Sequence, residues 1–222
     1  MADLERQRRS VAAACHDLAR EGLLIGTAGN VSVRSGEHIA VSATGVVLGH
    51  ATPDQVTVVD PDGGVVAGDL EPTSELELHL GVYERYGAGA VVHTHSPQAT
   101  ALSLVLDELP CVHYQQLQLG GSVRVAPFAV FGTSELAELV LTALEGRSAA
   151  LMANHGAIAH GPTLDKAVEN ALLLEWACGV YLRAATIGTP RALSTGQQAA
   201  VITAALNRGY GKTRRIDKEN AR

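Results

Sequence analysis

The sequence predicts an α/β fold, and three observations predict it. Short runs rich in valine, isoleucine and alanine recur between longer stretches whose apolar residues follow a helical period. Helix start and stop signals, such as Ser74 with Glu77 three residues on or Gly87 after an apolar stretch, fall between those runs. Glycine is abundant (23 residues) while aromatic residues make up only 4% of the chain, as many tight turns between small elements require.

Taken in order, residues 4–21 read as an amphipathic helix with Leu4, Val11, Cys15 and Leu18 near one face and Gly22 as its stop. A small-residue loop follows, Gly26-Thr27-Ala28-Gly29-Asn30. Val31–Arg34 and Ile39–Ser42 alternate like two strands about a Ser35-Gly36 turn, and Thr44-Gly45 opens another loop. Val56–Val59 is a strand and Pro61–Gly64 a turn. With Ser74 as N-cap, a helix covers 75–86 and ends at Gly87 and Gly89. Ala90–His95 has the continuous apolar character of a buried strand, and Ser96-Pro97 starts the next helix with proline at its first position. Residues 109–120 are irregular. Val123–Ala126 is a strand, 134–144 a helix, Ala149–Met152 a short strand, and 163–187 and 194–207 are the last helices. Strands and helices thus alternate, which leaves the sheet order open. The length and the 46% hydrophobic content suit one catalytic domain over 1–210, followed by a charged tail at 211–222.

The bulk properties exclude several classes. A formal net charge of -6 speaks against a nucleic-acid partner or an anionic membrane surface. No apolar run is long enough to span a bilayer, and the N-terminus lacks the apolar stretch of a signal peptide. Cys15, Cys111 and Cys178 are odd in number and widely spaced, which reads as reduced thiols in a cytoplasmic protein.

The nine histidines carry the chemistry. His93-Thr94-His95 ends an apolar strand, where alternation sends residues i and i+2 to the same face, so two imidazoles leave side by side. Alone, such a pair fits hydrogen-bonded histidines at a strand end as well as it fits a metal site. His155, again just after an apolar strand, adds a third nitrogen, and three imidazoles with a carboxylate suit zinc or a similar cation. Glu75 is the candidate carboxylate; by position alone it could equally complement a helix N-terminus. His79 lies one turn beyond Glu75 on the same face; it could support the ligands from behind or be simply a packed histidine, and the packed reading is preferred. The loops Thr27–Asn30, Ser42–Gly45 and Pro72–Ser74 offer hydroxyls and backbone N–H groups beside glycine. They could form an anion nest or be ordinary turns, and neither phosphate-loop consensus is present.

These pieces in this order resemble the class II aldolase/adducin family. The resemblance rests on Gly26-Thr-Ala-Gly-Asn-Val-Ser-Val-Arg34, Thr44-Gly45, Thr73-Ser-Glu75, Val92-His-Thr-His95, His113-Tyr114, Phe131-Gly-Thr133 and Asn154-His-Gly156, and it covers nearly the whole chain. It implies a central, mostly antiparallel sheet between helix layers and a homotetramer of C4 symmetry with sites at subunit interfaces. It implies zinc, or another divalent ion, on His93, His95 and His155 with Glu75 as a fourth ligand. Glu75 is then displaced by substrate and acts as general acid/base. Gly29, Asn30, Thr44, Gly45, Thr73 and Ser74 would bind a sugar phosphate, Tyr114 would serve the aldehyde oxygen, and Tyr210 would reach a neighbouring subunit's site. The implied reaction is a retro-aldol cleavage of a ketose 1-phosphate, of the L-fuculose 1-phosphate kind, to dihydroxyacetone phosphate and a short aldehyde. The enediolate left by C3–C4 cleavage is stabilised by a Lewis-acidic ion. No Schiff-base lysine is needed, and Lys166, Lys212 and Lys218, the only lysines, stand away from every motif.

Two departures from the family pattern bear on substrate. Thr73 stands where a serine is usual, and Gln115–Leu119 is bulkier and more polar than the expected alanine-rich stretch. Within the family, a pentulose-5-phosphate 4-epimerase and a methylthioribulose-1-phosphate dehydratase are the competing activities. The epimerases tend to carry Asp at the position of Glu75, which favours the lyase. A non-catalytic, adducin-head-like scaffold would be expected to have lost the ligands that this chain keeps.

Overall fold

Residues 2–211 are described by the structure, a computed structural model. Helix α1 (Ala2–Arg20) buries Val11, Cys15 and Leu18, the stripe its period predicts. The chain then forms β1 (Asn30–Ser35), β2 (His38–Ser42), β3 (Val56–Val59) and β4 (Val65–Ala67). Helix α2 (Leu76–Tyr86) leads to β5 (Ala90–Thr94) and α3 (Pro97–Ser103). After β6 (Glu108–Leu109), a 3₁₀ turn at Tyr114–Leu119 and β7 (Val123–Ala126) come α4 (Ser134–Ala143), β8 (Ala149–Met152) and β9 (Gly156–Gly161). Helices α5 (Leu164–Ile187) and α6 (Thr195–Arg208) complete the described chain. Of the expected tail only Gly211 is described; 212–222 lie outside the described residues.

One sheet of nine strands runs in the order β4-β3-β2-β1-β5-β9-β8-β7-β6. Every neighbouring pair is antiparallel except β7–β8. Period-two alternation splits its side chains between two cores. Ala90, Val92, Ala149, Leu151, Ala157 and Ala159 join the core under α1, α3 and α5. Val91, Ala150, Met152 and Ile158 join the core under α2 and α4. No described helix is long and apolar enough to cross a membrane.

Three departures from the sequence reading have physical causes. Strand β9 was not expected, because Gly156-Ala-Ile-Ala-His-Gly161 is short and bracketed by glycines, yet it pairs with β5 on one side and β8 on the other. Strand β4, too short and exposed to read from sequence, pairs with β3, so the hairpins β3–β4 and β8–β9 join the expected β1–β2 pair in breaking the strand–helix alternation. Helix α2 begins at Leu76, not at Glu75, and Ser74 does not cap it. Glu75 holds the cap position with φ -101° and ψ 24°, no side chain caps the helix, and the Thr73 hydroxyl accepts from the Glu75 N–H at 3.3 Å. The Glu75 carboxylate is drawn away from the helix end into the histidine cluster.

Candidate active site and metal centre

His93 extends from β5 on the face that carries Val91, the side covered by α2. His95 follows two residues later, just past the strand end. His155 sits in the tight turn joining β8 to β9, where its N–H donates to the Met152 carbonyl at 3.1 Å. Asn154 in that turn has φ 57°, the one non-glycine residue with positive φ among the described residues. Asparagine tolerates this left-handed conformation far better than a branched residue. Because β9 lies beside β5, the turn returns His155 to the His93–His95 end of the sheet. A Cβ on Gly156 would stand 2.2 Å from the Thr94 carbonyl oxygen, so glycine permits this approach. Gly29, at φ +96°, serves the same end on the opposite flank: a Cβ there would meet the His93 carbonyl oxygen at 2.7 Å.

The ligand atoms of His93, His95 and His155 all lie within 4.8 Å of one another. His93 Nε2 is 3.0 Å from His95 Nε2 and 3.1 Å from Glu75 Oε2, while Glu75 Oε1 is 3.6 Å from His155 Nε2. His93 Nδ1 lies 2.9 Å from the Ala157 carbonyl, which can only accept, so Nδ1 carries the proton. In neutral His93, Nε2 then presents a lone pair toward both the His95 nitrogen and a carboxylate. Glu75 Oε1 is buried without a hydrogen-bond partner. Converging lone pairs and an orphaned carboxylate oxygen need a cation between them, so the donor set fits a divalent ion.

The electrostatics of the bare cluster point the same way. Burial opposes charge on both His93 and Glu75, yet their mutual attraction overrides it, raising His93 and holding Glu75 far below the usual carboxylate range. Burial and the neighbouring His93 charge push His95 down to about 4 and also lower His155. One positive charge beside Glu75 satisfies the cluster, and a second proton is repelled.

A cavity of about 440 Å³ opens onto this centre, a size suited to a small substrate. One wall carries Gly29, Asn30, Thr44, Gly45, Thr73 and Ser74, so the three candidate anion loops do meet. Glu75, His95, Asn154 and His155 line it as well; His93 lies deeper, fully buried. The opposite wall is Phe128–Phe131, with Phe128, Val130 and Phe131 strongly exposed. Their exposure beside the cavity marks a second wall that sequence reasoning did not find. Among the described residues, no lysine or arginine lines the cavity.

Two predicted residues lie elsewhere. The Tyr114 and Tyr210 hydroxyls are 3.4 Å apart, and both line a separate cavity of about 190 Å³ against α6. Neither lines the histidine cavity of its own chain. The glutamine-rich stretch has a structural reason: buried Gln116 accepts the Val112 and His113 N–H groups at 2.8 and 3.0 Å and donates to the Pro110 carbonyl at 3.1 Å. It pins the loop before Tyr114 and does not reach the histidine cavity.

His79, read from sequence as a packed histidine, is fully buried within a polar network. Its Nε2 bonds Asn30 Oδ1, Asn30 Nδ2 donates to Glu75 Oε2 at 3.0 Å, and its Nδ1 is 2.6 Å from the Ser32 hydroxyl. Ser32 in turn lies 2.6 Å from the Tyr83 hydroxyl. Burial first, then the His93 charge, lowers His79 to about 3, so it is neutral.

Comparison with known proteins agrees with this architecture. The profile of the Class II Aldolase and Adducin N-terminal domain matches residues 9–182. The 5-deoxy-D-ribulose 1-phosphate aldolase of Bacillus thuringiensis serovar kurstaki is 35% identical over 193 residues, covering 86% of this chain and 91% of that protein. The L-fuculose phosphate aldolase of Escherichia coli K12 is 36% identical over 203 residues, covering 90% and 94%. A solved structure of an L-fuculose 1-phosphate aldolase superimposes with a TM-score of 0.86 at 31% identity, covering 90% of this chain and 95% of that one. With the profile match, the relatives and the fold in agreement over most of its length, the chain belongs to the class II aldolase and adducin family.

Proposed function

We propose that this protein is a divalent-metal-dependent, zinc-type aldolase that cleaves a ketose 1-phosphate into dihydroxyacetone phosphate and a short aldehyde. The observation that carries the reading is the convergence of three imidazoles on a buried carboxylate oxygen that has no partner, at the edge of a cavity walled by hydroxyl and glycine loops. His93, His95 and His155 would hold the ion with Glu75 beside them. When bound, the ion supplies Lewis acidity at the ketone half of the substrate.

The chain's residues divide the remaining work. The loops at Gly29-Asn30, Thr44-Gly45 and Thr73-Ser74 take the phosphate through hydroxyls and backbone N–H groups, with the start of α2 directly behind them. In cleavage, the C4 hydroxyl loses its proton as C4–O becomes a carbonyl and the C3–C4 pair moves to C2–C3; one proton, taken up by Glu75 as the C4 hydroxyl releases its own, is delivered by Glu75 to C3, so no net proton is gained or lost. Phe128, Val130 and Phe131 suit an aldehyde with an apolar end, lactaldehyde being the simplest candidate. Relatives named for L-fuculose phosphate and for 5-deoxyribulose 1-phosphate are consistent with this class.

Tyr114 and Tyr210 are exposed and away from their own chain's cavity, which suits a homotetramer of C4 symmetry in which they reach a neighbouring copy's site and hydrogen-bond the C4 oxygen as it becomes the aldehyde. We place the enzyme in the cytoplasm; its three buried free cysteines suit a reducing compartment. A panel of ketose 1-phosphates and the matching free ketoses, assayed with the wild type and His155→Ala, tests the reading. Chelator-sensitive release of dihydroxyacetone phosphate from the phosphorylated members alone is expected. Equal cleavage of the free sugars would contradict the anion site, and full activity of His155→Ala would contradict the metal centre.

A further inference from the structure

The polar chain behind Glu75 is built on a match between two periodicities. Glu75, at the N-cap of α2, and His79 and Tyr83 within it are spaced by four and so share one face, advancing about 6 Å per step. Asn30 and Ser32 alternate on β1 and share the face toward α2, advancing between 6 and 7 Å, roughly one such step. Helix and strand run the same way, so Glu75 meets Asn30, His79 bridges Asn30 and Ser32, and Tyr83 meets Ser32. All five side chains are buried.

Hydrogen-bond direction in this chain follows from its one fixed end. The Glu75 carboxylate accepts, so the Asn30 amide must turn its NH₂ to Glu75 and its oxygen to His79. His79 must then donate from Nε2 and accept at Nδ1. Ser32 gives its single proton to His79 and receives one from Tyr83. From Tyr83 to Glu75 Oε2 each group donates toward the carboxylate, so the hydrogen bonds run in one direction, which is how a buried polar network rigidifies a site.

We propose that His79 is a positioning residue for Glu75: locked as the Nε2–H tautomer by Ser32 and Tyr83, it fixes the Asn30 amide so that Glu75 Oε2 is held and Oε1 is the oxygen that moves the proton. Asn30 thereby has two duties, its backbone beside the phosphate loop and its side chain on the acid/base. The bond from Asn30 Nδ2 stabilises the lone pairs of Oε2 and leaves Oε1, which has no partner and stands 3.6 Å from His155 Nε2, as the site for a proton. This inference rests on the reading of Glu75 as acid/base given above.

Two measurements on the full-length protein test it. The first needs no turnover: ¹⁵N-detected histidine spectra of the metal-free protein at neutral pH should show His79 as the Nε2–H tautomer. The Nδ1–H tautomer would overturn the proposal whatever the enzyme's activity. The second is a mutant cycle. His79→Leu should lower kcat about 10- to 100-fold, the usual effect of losing a partner that orients a site residue, with KM changed far less. His79→Gln, whose amide can place an N–H where Nε2–H stood, should recover most of that loss. In a Glu75→Gln background, adding His79→Leu should change residual turnover by less than about twofold, because the two act as a unit. Equal losses for Leu and Gln, or an undiminished loss without Glu75, would show a merely structural role. Wild-type turnover in Glu75→Gln alone would instead refute the acid/base assignment, and the tautomer would still decide the orientation.

Discussion

Replacing Gly156 with alanine should dismantle the metal centre while leaving the fold in place. The new Cβ would lie 2.2 Å from the Thr94 carbonyl oxygen, where ordinary contact needs at least 3.4 Å. Something must therefore move by about 1 Å, roughly the difference between those distances. Thr94 lies between two of the histidines and Gly156 follows the third, so either movement separates His155 from His93 and His95. Metal sites tolerate ligand displacements of about 0.2 Å, so a shift of this size removes one donor from the set. Losing an outer partner of a ligand already costs about 10- to 100-fold in metal affinity, so losing a ligand should cost at least about 100-fold. Competition with a coloured chelator measures this affinity, and far-ultraviolet circular dichroism with size-exclusion chromatography reports the fold. Affinity within a few-fold of wild type, with the fold intact, would refute the argument that His155 is delivered by the close approach of β9 to β5.

Other perturbations give distinct signatures. Glu75→Gln should bind the ion and substrate but lose roughly 10²- to 10⁴-fold in turnover, the contribution of a positioned acid/base, read as kcat with metal content measured in parallel. Asn154→Gly should leave thermal stability nearly unchanged, whereas Asn154→Val should lower it by about 1–2 kcal/mol through strain at φ 57°, measurable by denaturant unfolding. His160, held below its ordinary range by burial despite its bond to the Arg147 carbonyl at 3.1 Å, stays neutral in the fold where the unfolded chain is protonated. The unfolded state then binds more protons, so stability should fall as pH drops below about 6.5, the ordinary histidine value. His160→Gln should flatten that dependence in unfolding curves of the metal-free protein, and an unchanged slope would contradict it.

Much of this architecture was legible in the sequence because its signals are local. The stripe of Val11, Cys15 and Leu18 predicts α1, and the apolar run before His93 predicts β5. The place of His155 just after an apolar strand suggested it as a third ligand, but the pairing that brings it to the other two, β9 beside β5, joins a glycine-bracketed strand to a distant one and was not legible. The four-residue step from Glu75 to His79 raised a supporting role for His79, but its partners Ser32 and Tyr83 were hidden for the same reason. A helix repeat of four and a strand repeat of two are each readable, but which helix covers which strand is not. Ser74 reads as an N-cap by local rules, and the attraction of Glu75 to the histidines overrides them. The Phe128–Phe131 wall follows no periodicity, so only its exposure beside the cavity reveals it.

The central claim is that this metal site breaks a C–C bond and lets the aldehyde leave. Following ketose phosphates by NMR with the metal-loaded protein tests it directly. L-fuculose 1-phosphate or 5-deoxyribulose 1-phosphate should give dihydroxyacetone phosphate and a free aldehyde in equal amounts, and chelator should stop the reaction. Conversion of L-ribulose 5-phosphate to D-xylulose 5-phosphate, with no three-carbon product from any ketose 1-phosphate, would contradict the lyase assignment.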